Sequence, residues 1–258
     1  MPLTDDQLRR YSRNIILPEV GVEGQQMLSR AHVMIVGAGG LGSPVGYYLA
    51  AAGVGHIAIV DDDIVELGNL QRQIAHTTEK IGLSKVASAR QTFEALNPEV
   101  KIDAISERVA KGNIEDLICN YDIVADCSDN FETRFLINDA CVLLTKRLVS
   151  GAVRGFEGQL TTILPGEGHC YRCVFEDMPL ADVAASLQES GIIGAVPGVI
   201  GSLQALEIIK LIIGKGEILS NSLLVFDGLK SEFRRIGVSR DKGCDVCGDK
   251  PRITLLNR

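Results

Sequence analysis

The chain has 258 residues, of which 46% are hydrophobic and 23% charged, and a formal net charge of −7. This length suffices for one large α/β domain or two small ones, and the acidic balance argues against a general nucleic-acid binder. The N-terminus has no apolar signal segment, and no uncharged apolar run approaches the ~20 residues of a membrane helix. We therefore expect a cytoplasmic protein without a nucleic-acid or membrane partner, whose cysteines are reduced, metal-bound or catalytic.

Strand-like and helix-like segments alternate along the N-terminal part of the chain. A capping box of Thr4 and Gln7 predicts a first short helix. The predicted strands are 32–36, 57–60, 100–105, 122–125 and 147–150. The predicted helices are 23–30 before the first strand and 43–52, 84–96, 112–119 and 132–146 between the strands. This β-α-β-α order predicts a Rossmann-like, mostly parallel sheet with helices on both faces.

The pattern changes after Gly151. Residues 158–164 and 222–226 read as antiparallel strands, and 165–197 as a loop-rich stretch. Residues 198–213 form a long apolar segment that contains Glu207 and Lys210, which predicts a core helix rather than a membrane span. The C-terminal third is therefore an antiparallel extension of the parallel sheet.

A glycine-rich segment joins the first predicted strand to the next helix. Gly37, Gly39 and Gly42 form a G-x-G-x-x-G arrangement with Gly40 between them, and Asp61 follows the second strand. Such glycines let backbone N–H groups approach a phosphate, and an acid at that place binds a ribose hydroxyl. These residues alone leave three interpretations open: an ATP site, an NAD(P)-dependent oxidoreductase, or a turn that only packs the helix on the strand.

Charged residues further along the chain favour a polyphosphate. Arg72 and Lys85 suit a phosphate whose charge shifts in a transition state. Asp129 follows a later strand, at the edge where open α/β sheets bind ligands, and a carboxylate there suits Mg²⁺. Each of the three alone is equally well explained as a solvated surface charge, but a nicotinamide dehydrogenase has little use for all three together.

Several segments resemble, in order, the bacterial ubiquitin-activating-enzyme-like family of HesA, MoeB and ThiF type. Its members include the adenylyltransferases of molybdopterin synthase and of the thiazole sulfur carrier. The matching segments are RYSR at 10–13, GAGGLGSP at 37–44, Asp61, NLQRQ at 69–73, Lys85, CSDN at 127–130 and GVIGSLQALEIIK at 198–210. They extend over essentially the whole chain.

The resemblance implies a specific reaction. The expected substrate is a small ubiquitin-fold sulfur carrier protein ending in Gly-Gly, whose C-terminal carboxylate is adenylylated with ATP and Mg²⁺. Pyrophosphate is released, and the product serves sulfur transfer for molybdopterin, thiamin or related biosynthesis. The NAD(P)-dependent oxidoreductase is the alternative.

The resemblance also assigns roles to individual residues. The glycine loop at 37–42 packs against ATP, Asp61 binds the ribose, and Asp129 with Asn130 lies at the magnesium and nucleotide site. In relatives, the arginine that matches Arg13 reaches into the active site of the other subunit, so a homodimer is expected. The phosphates are contacted by Asn69, Arg72 and Lys85.

Two C-x-x-C pairs predict a structural zinc site. The pairs are Cys170 with Cys173 and Cys244 with Cys247. Four thiolates close a tetrahedral Zn²⁺ site, whereas a redox motif would explain one pair and leave the other unexplained. The family also carries zinc here. The remaining cysteines are predicted to be small buried side chains: Cys119, Cys127 and Cys141.

One departure from the family concerns a cysteine that many relatives carry shortly before the Gly-Val/Ile run. Leu187 occupies that position here, within 186–191 (SLQESG), and we expect no rhodanese-like domain after Arg258. We hypothesise that the protein stops at the adenylate and that a separate sulfur donor completes the transfer. The resemblance also places a crossover loop over the carrier's tail at 176–190.

These predictions combine into one adenylylating domain over residues 1–258. Its parts are N-terminal helices at 1–30, a nucleotide-binding part at 31–151, and a carrier-binding, zinc-stapled part at 152–258.

Overall fold

A computed structural model describes residues 2–176 and 191–256. Its strands are β1 His32–Val36, β2 His56–Val60, β3 Lys101–Ile105, β4 Ile123–Asp126, β5 Arg147–Arg154, β6 Glu157–Ile163, β7 Ser222–Asp227 and β8 Glu232–Gly237. Within the described residues they form one sheet in the order β3-β2-β1-β4-β5-β6-β7-β8. Strands β1 to β5 pair in parallel and β6 to β8 continue antiparallel, which confirms the predicted fold class.

Helices cover both faces of the sheet. They are α1 Asp5–Arg10, α2 Ser12–Ile15, α3 Gly21–Arg30, α4 Gly42–Ala52, α5 Lys85–Leu96, α6 Ile114–Ile118, α7 Phe131–Leu143, α8 Tyr171–Val174 and α9 Ala195–Ile213. The apolar side chains of α3, α4, α5 and α9 form one core cluster with the sheet, and those of α6, α7 and α8 form the other. The predicted capping box of Thr4 and Gln7 is present at α1.

Strand β1 shows why the parallel strands are continuous apolar runs. Val33 and Ile35 belong to one core cluster, and Met34 and Val36 to the other. All four side chains are buried. A strand with helices on both faces has no solvent face, so it shows no polar alternation.

Three predicted boundaries differ from the structure by three residues or more, and the others by at most two. Helix α9 begins at Ala195 instead of 198, since Pro197 lies in its first turn, where a missing N–H costs no helical hydrogen bond. Strand β5 continues to Arg154 because β6 pairs along it. Helix α7 ends at Leu143, before Thr145 adopts a positive φ of 54°.

Among the described helices, α9 alone is long and apolar enough to cross a membrane by length and composition. Its packing nevertheless agrees with a core helix, because it lies against α4, β5 and β6. The buried Glu207 carboxylate accepts hydrogen bonds from Thr162 Oγ1 at 3.0 Å and from the Leu219 N–H at 2.7 Å. Glu207 therefore connects α9 to β6 and to the segment before β7.

Candidate active site

A cavity of about 510 Å³ opens at the carboxyl ends of β1, β2 and β4. From β1 the chain continues to β2 on one side, and from β4 it continues to β5 on the other, so this is the switch point where open α/β sheets bind ligands. The predicted site residues that line the cavity are Gly37, Gly39, Gly40, Asp61, Arg72, Lys85, Asp129 and Asn130. Three predicted residues lie outside its lining: Arg13, Gly42 and Asn69.

Gly37 and Gly42 meet the backbone of the protein itself. Gly37 has a φ of +101°, and a Cβ there would lie 2.7 Å from the Cys127 carbonyl oxygen. A Cβ at Gly42 would overlap the Gly37 carbonyl oxygen. Both positions therefore exclude any side chain, and they allow the loop from β1 to α4 to pack against itself and against the residue that follows β4.

The glycine loop is held from three sides. The Ala38 N–H donates to Asp61 Oδ2 at 2.8 Å, and His76 Nε2 donates to the Ala38 carbonyl at 2.9 Å. Ser43 Oγ donates to the Gly39 carbonyl at 2.8 Å. In contrast, the backbone N–H groups of residues 39–41 donate to no acceptor in the described parts of the chain. A braced loop with unpaired N–H groups at a cavity wall is suited to a phosphate.

Asp61 lies at the end of β2, on the cavity wall. Its two oxygens accept N–H groups from Ala38 at 2.8 Å and Asp63 at 2.9 Å. Burial raises the pKa of Asp61, although the positive charge of Lys85 and the two N–H donors oppose that shift. Each oxygen keeps acceptor capacity, so the carboxylate can still receive a hydroxyl of a bound ribose.

Both cationic side chains that were predicted to contact phosphate line the same cavity, together with Arg108, Arg134 and Arg154. Lys85 is the first residue of α5, is only 7% exposed, and donates from Nζ to Asp63 Oδ2 at 2.7 Å. Arg72 is half-buried, and its Nη1 donates to the Gly68 carbonyl at 3.2 Å. Asn69 instead turns its Oδ1 to the Glu66 N–H at 3.1 Å, so its predicted phosphate contact stays a prediction.

Asp129 and Asn130 form the turn between β4 and α7. Asn130 Oδ1 accepts the Thr133 N–H at 2.9 Å and caps α7. Asp129 is exposed, and its carboxylate accepts no hydrogen bond from any described residue. A free carboxylate at the wall of a cavity fits the oxygen ligands that Mg²⁺ takes.

A buried network beneath this turn had no counterpart in the sequence predictions. Arg134, 6% exposed, donates to the carbonyls of Gly151 (2.7 Å) and Ser128, and its Nη1 lies 3.7 Å from Asp126 Oδ2. Asp126 also accepts Ser128 Oγ at 2.6 Å and Ser150 Oγ at 2.8 Å. The network fixes the backbone that presents Asp129. Charged residues at the end of an apolar strand and inside α7 were its only sequence signal.

Arg13 lies apart from the cavity of its own chain. It is exposed on α2. The preceding Tyr11 is buried, and its hydroxyl lies 2.8 Å from Asn97 Nδ2, which also donates to the Ala50 carbonyl. Helix α2 is therefore anchored to the body of the protein while Arg13 remains available at the surface.

The four predicted zinc ligands come together. Their sulfur atoms all lie within 4.8 Å of one another. The Cys170–Cys244 and Cys173–Cys247 sulfur distances are 3.5 and 3.4 Å, and Cys170–Cys173 is 3.9 Å. Tetrahedral zinc with Zn–S bonds of about 2.3 Å places its sulfur atoms about 3.8 Å apart. The donor set therefore fits a tetrahedral thiolate-bound metal ion.

The cysteine cluster is attached to the sheet through α7 and α8. The Tyr171 N–H donates to Asn138 Oδ1 at 2.8 Å. Arg172 forms two 2.8 Å hydrogen bonds to the Asp139 carboxylate and lies over the Phe135 ring. The four-cysteine cluster thus joins the C-terminal segment to α7 and α8.

The predictions for the three remaining cysteines and for the crossover loop have different outcomes. Cys119 is exposed, so its predicted burial is wrong, whereas Cys127 and Cys141 are buried. Burial raises the pKa of both buried thiols far above the usual range, which makes them unreactive. Leu187 and positions 177–190 of the predicted crossover loop lie outside the described residues.

Solved structures with this fold include MccB of E. coli. The chain superposes on MccB with a TM-score of 0.84 at 22% identity, over 96% of this chain and 75% of that one. A structure of E. coli MccB with ATP gives a TM-score of 0.82 at 23% identity, over 92% and 74% of the two chains. At this identity the likeness shows a shared fold.

Sequence relatives extend over nearly the whole chain. It is 48% identical to the adenylyltransferase and sulfurtransferase MOCS3 of Culex quinquefasciatus, over 98% of this chain and 58% of that protein. It is 47% identical to the sulfur carrier protein adenylyltransferase of Thermus thermophilus, over 97% and 94% of the two chains. The chain spans between 55% and 60% of the length of the MOCS3 relatives. The ThiF family profile matches residues 11–246. Because that match and the Thermus relative both extend along almost all of it, the chain belongs to the ThiF family.

Proposed function

We propose that this protein uses ATP to adenylylate the C-terminal carboxylate of a small ubiquitin-fold sulfur carrier protein ending in Gly-Gly. The observation that carries the proposal is one cavity that combines the unpaired N–H groups of residues 39–41 with Arg72, Lys85 and Asp129. Cationic and N–H donors around a cavity suit a triphosphate under attack. The name of the Thermus thermophilus relative supports a sulfur carrier as the substrate.

The chemistry requires positioning and charge stabilisation. A carboxylate oxygen of the carrier forms a bond to the α-phosphorus, and the bond from that phosphorus to the bridging oxygen breaks, so pyrophosphate leaves. Arg72 and Lys85 donate to the phosphate oxygens as charge moves toward the leaving group. Asp61 accepts a ribose hydroxyl and fixes the nucleoside. Holding both reactants in line lowers the barrier without a covalent enzyme intermediate.

Two metal ions belong to the proposal. Asp129 would hold Mg²⁺, which supplies charge neutralisation to the phosphates when bound. Zn²⁺ is the proposed ion of the four-cysteine site, with a structural role, because all four ligands are protein thiolates.

The partners of the reaction are also proposals. A separate sulfur donor would act on the acyl-adenylate. A homodimer would let the exposed Arg13 of one subunit enter the cavity of the other, which fits its absence from the lining of its own cavity. The NAD(P)-dependent oxidoreductase is disfavoured, because the ThiF family match covers the same glycine loop on which that alternative rests.

ATP–pyrophosphate exchange tests the proposal. We expect exchange that requires Mg²⁺ and a ubiquitin-fold carrier ending in Gly-Gly, and that falls by about 10²–10³-fold in Lys85→Ala. Arg90→Ala, on the same helix but in an exposed pair with Glu94, is the matched control and should keep parental exchange. Tight NAD(P) binding without exchange would reject the proposal.

A further inference from the structure

Gln73 is a buried amide without a partner at the wall of the cavity. The residue is 4% exposed and lines the cavity beside Arg72. Its Oε1 is buried without a hydrogen bond, and no described residue pairs with either end of its carboxamide. Leaving such a group unpaired costs free energy, so each one calls for an explanation.

The backbone fixes Gln73 against the glycine loop. Its N–H donates to the Asn69 carbonyl at 3.0 Å, and its carbonyl accepts the His76 N–H at 3.0 Å. The position of a Cβ on Gly39 would be 3.5 Å from Gln73 Nε2. The amide therefore lies next to the N–H groups that are open to a phosphate, with Nε2 on the side of Gly39. Because neither end of the carboxamide is hydrogen-bonded, a half-turn of the amide brings Oε1 to that side without the loss of a hydrogen bond.

The chemistry of the substrates decides what this amide can bind. Phosphates and a carboxylate carry only hydrogen-bond acceptors at neutral pH, and Arg72 and Lys85 already supply donors to them. Oε1 needs a donor, and the ribose hydroxyls have Asp61 as their acceptor. The adenine amino group is a further donor, but in ATP it lies beyond the ribose from the phosphates, so the donor expected beside the glycine loop is a peptide N–H of the acyl substrate. A neutral amide accepts a hydrogen bond from that N–H without repelling the reacting carboxylate, whereas an acidic side chain would repel it.

We propose that Gln73 binds the last peptide group of the acyl substrate, with Oε1 accepting the N–H of its terminal residue. This inference rests on the proposed adenylylation and adds a residue that recognises substrate backbone. Because the hydrogen bond holds the terminal residue, it aims its carboxylate at the α-phosphorus. Gln73 is then a substrate-positioning residue whose partner arrives with the acyl substrate.

The variant Gln73→Met keeps the shape of the side chain and removes the amide. We expect the KM for the carrier in pyrophosphate exchange to rise about tenfold, the size of one lost hydrogen bond. The Kd for ATP without carrier should remain within about twofold, and the Tm should match or exceed the parental value, because no hydrogen bond of the free protein is lost. A weaker Kd for ATP with an unchanged carrier KM would assign Gln73 to the nucleotide and overturn the inference.

Gln25→Met is the matched control. Gln25 is also buried, but its amide is paired with Asn14 Nδ2 at 3.2 Å and the Ala52 carbonyl at 2.8 Å. We expect this variant to lower the Tm and to leave the carrier KM unchanged. If Gln73→Met behaves in the same way, the amide has only a structural role and the inference fails.

A modified carrier tests the individual hydrogen bond. In this probe an ester oxygen replaces the N–H of the terminal glycine in the ubiquitin-fold carrier that supports exchange. The parent enzyme should lose about tenfold in kcat/KM with it, and Gln73→Met should lose less than about threefold. Equal losses in both enzymes would refute the pairing. If the parent shows no exchange with any Gly-Gly carrier, the proposed function itself fails, whereas normal parental exchange with an unaffected Gln73→Met rejects this inference alone.

Discussion

Replacing Arg134 by methionine removes the guanidinium that lies beneath the Ser128–Asp129 turn. The change leaves the Asp126 carboxylate, which is 1% exposed, without its cationic neighbour, and it frees the Gly151 carbonyl. Breaking a buried ion pair on one side costs about 3–5 kcal/mol, and an unpaired buried carbonyl adds about 1 kcal/mol or more. Asp126 keeps its hydroxyl and N–H donors, which limits the total to about 3–6 kcal/mol. We also expect a higher KM for ATP, because the backbone before Asp129 loses its support.

Urea unfolding of a double-mutant cycle measures this effect. Arg134→Met, Asp126→Asn and the double variant are compared at neutral pH, with the exposed Arg90→Met as control, which should stay within about 0.5 kcal/mol of the parent. Because the amide introduced by Asp126→Asn carries no charge that needs Arg134, the double variant should be more stable than the sum of the single losses predicts, by at least about 1 kcal/mol. Additive losses, or an Arg134→Met variant within about 1 kcal/mol of the parent, would show that the pair does not stabilise the fold as argued.

Three further predictions concern the metal, the pH dependence and the second subunit. Removing the metal by chelation or by Cys244→Ser opens a cross-linked loop of roughly 70 residues and should destabilise the fold by about 4–5 kcal/mol, measured by calorimetry beside metal analysis; an unchanged Tm contradicts this. Burial lowers the pKa of His76 in the folded protein below the value of about 6.5 that it has in the unfolded chain. As the pH falls from 7 to 5, the unfolded chain therefore binds more protons than the folded protein, and the free energy of unfolding should decrease. His76→Gln should flatten that slope in urea unfolding, and equal slopes would exclude His76 as the cause. Co-expressed Arg13→Ala and Lys85→Ala subunits should recover about a quarter of parental exchange, because half of the random dimers are mixed and each has one intact site; no recovery would place Arg13 outside the partner's cavity.

The parallel half of the sheet was predictable because burial leaves a simple pattern. Strands with helices on both faces are apolar runs, and β1 has the same bounds in the sequence prediction and in the structure. Strand β8 was missed because all of its residues are exposed and its sequence, EFRRIG, contains three charges. Its strand conformation comes from pairing with β7, a tertiary contact that local sequence does not encode.

The candidate site likewise has residues that the sequence predicts and contacts that it does not predict. Glycines, Asp61, Arg72, Lys85 and Asp129 follow or begin elements whose ends meet at one sheet edge, so their positions in the chain were informative. The contacts that hold them could not be predicted, because Arg134 reaches the Ser128 and Gly151 carbonyls only in the folded chain. Nothing in the sequence shows that the amide of Gln73 is buried. A buried arginine and an exposed arginine look alike in sequence, and only the fold shows which of them is shielded from solvent.

The glycine loop shows how the two kinds of information combine. The sequence allowed two explanations of the motif, a phosphate cradle and a turn that only packs helix on strand. The packing explanation applies to Gly37 and Gly42, which exclude a side chain because the protein's own backbone occupies the space. At Gly39 the nearest atom to a Cβ would be at 3.5 Å, an ordinary contact, so the fold itself does not require a glycine there. The absence of a side chain at Gly39 leaves the N–H groups of residues 39–41, which donate to no described acceptor, open to a group that approaches from the cavity, and this arrangement favours a bound phosphate over a purely structural turn.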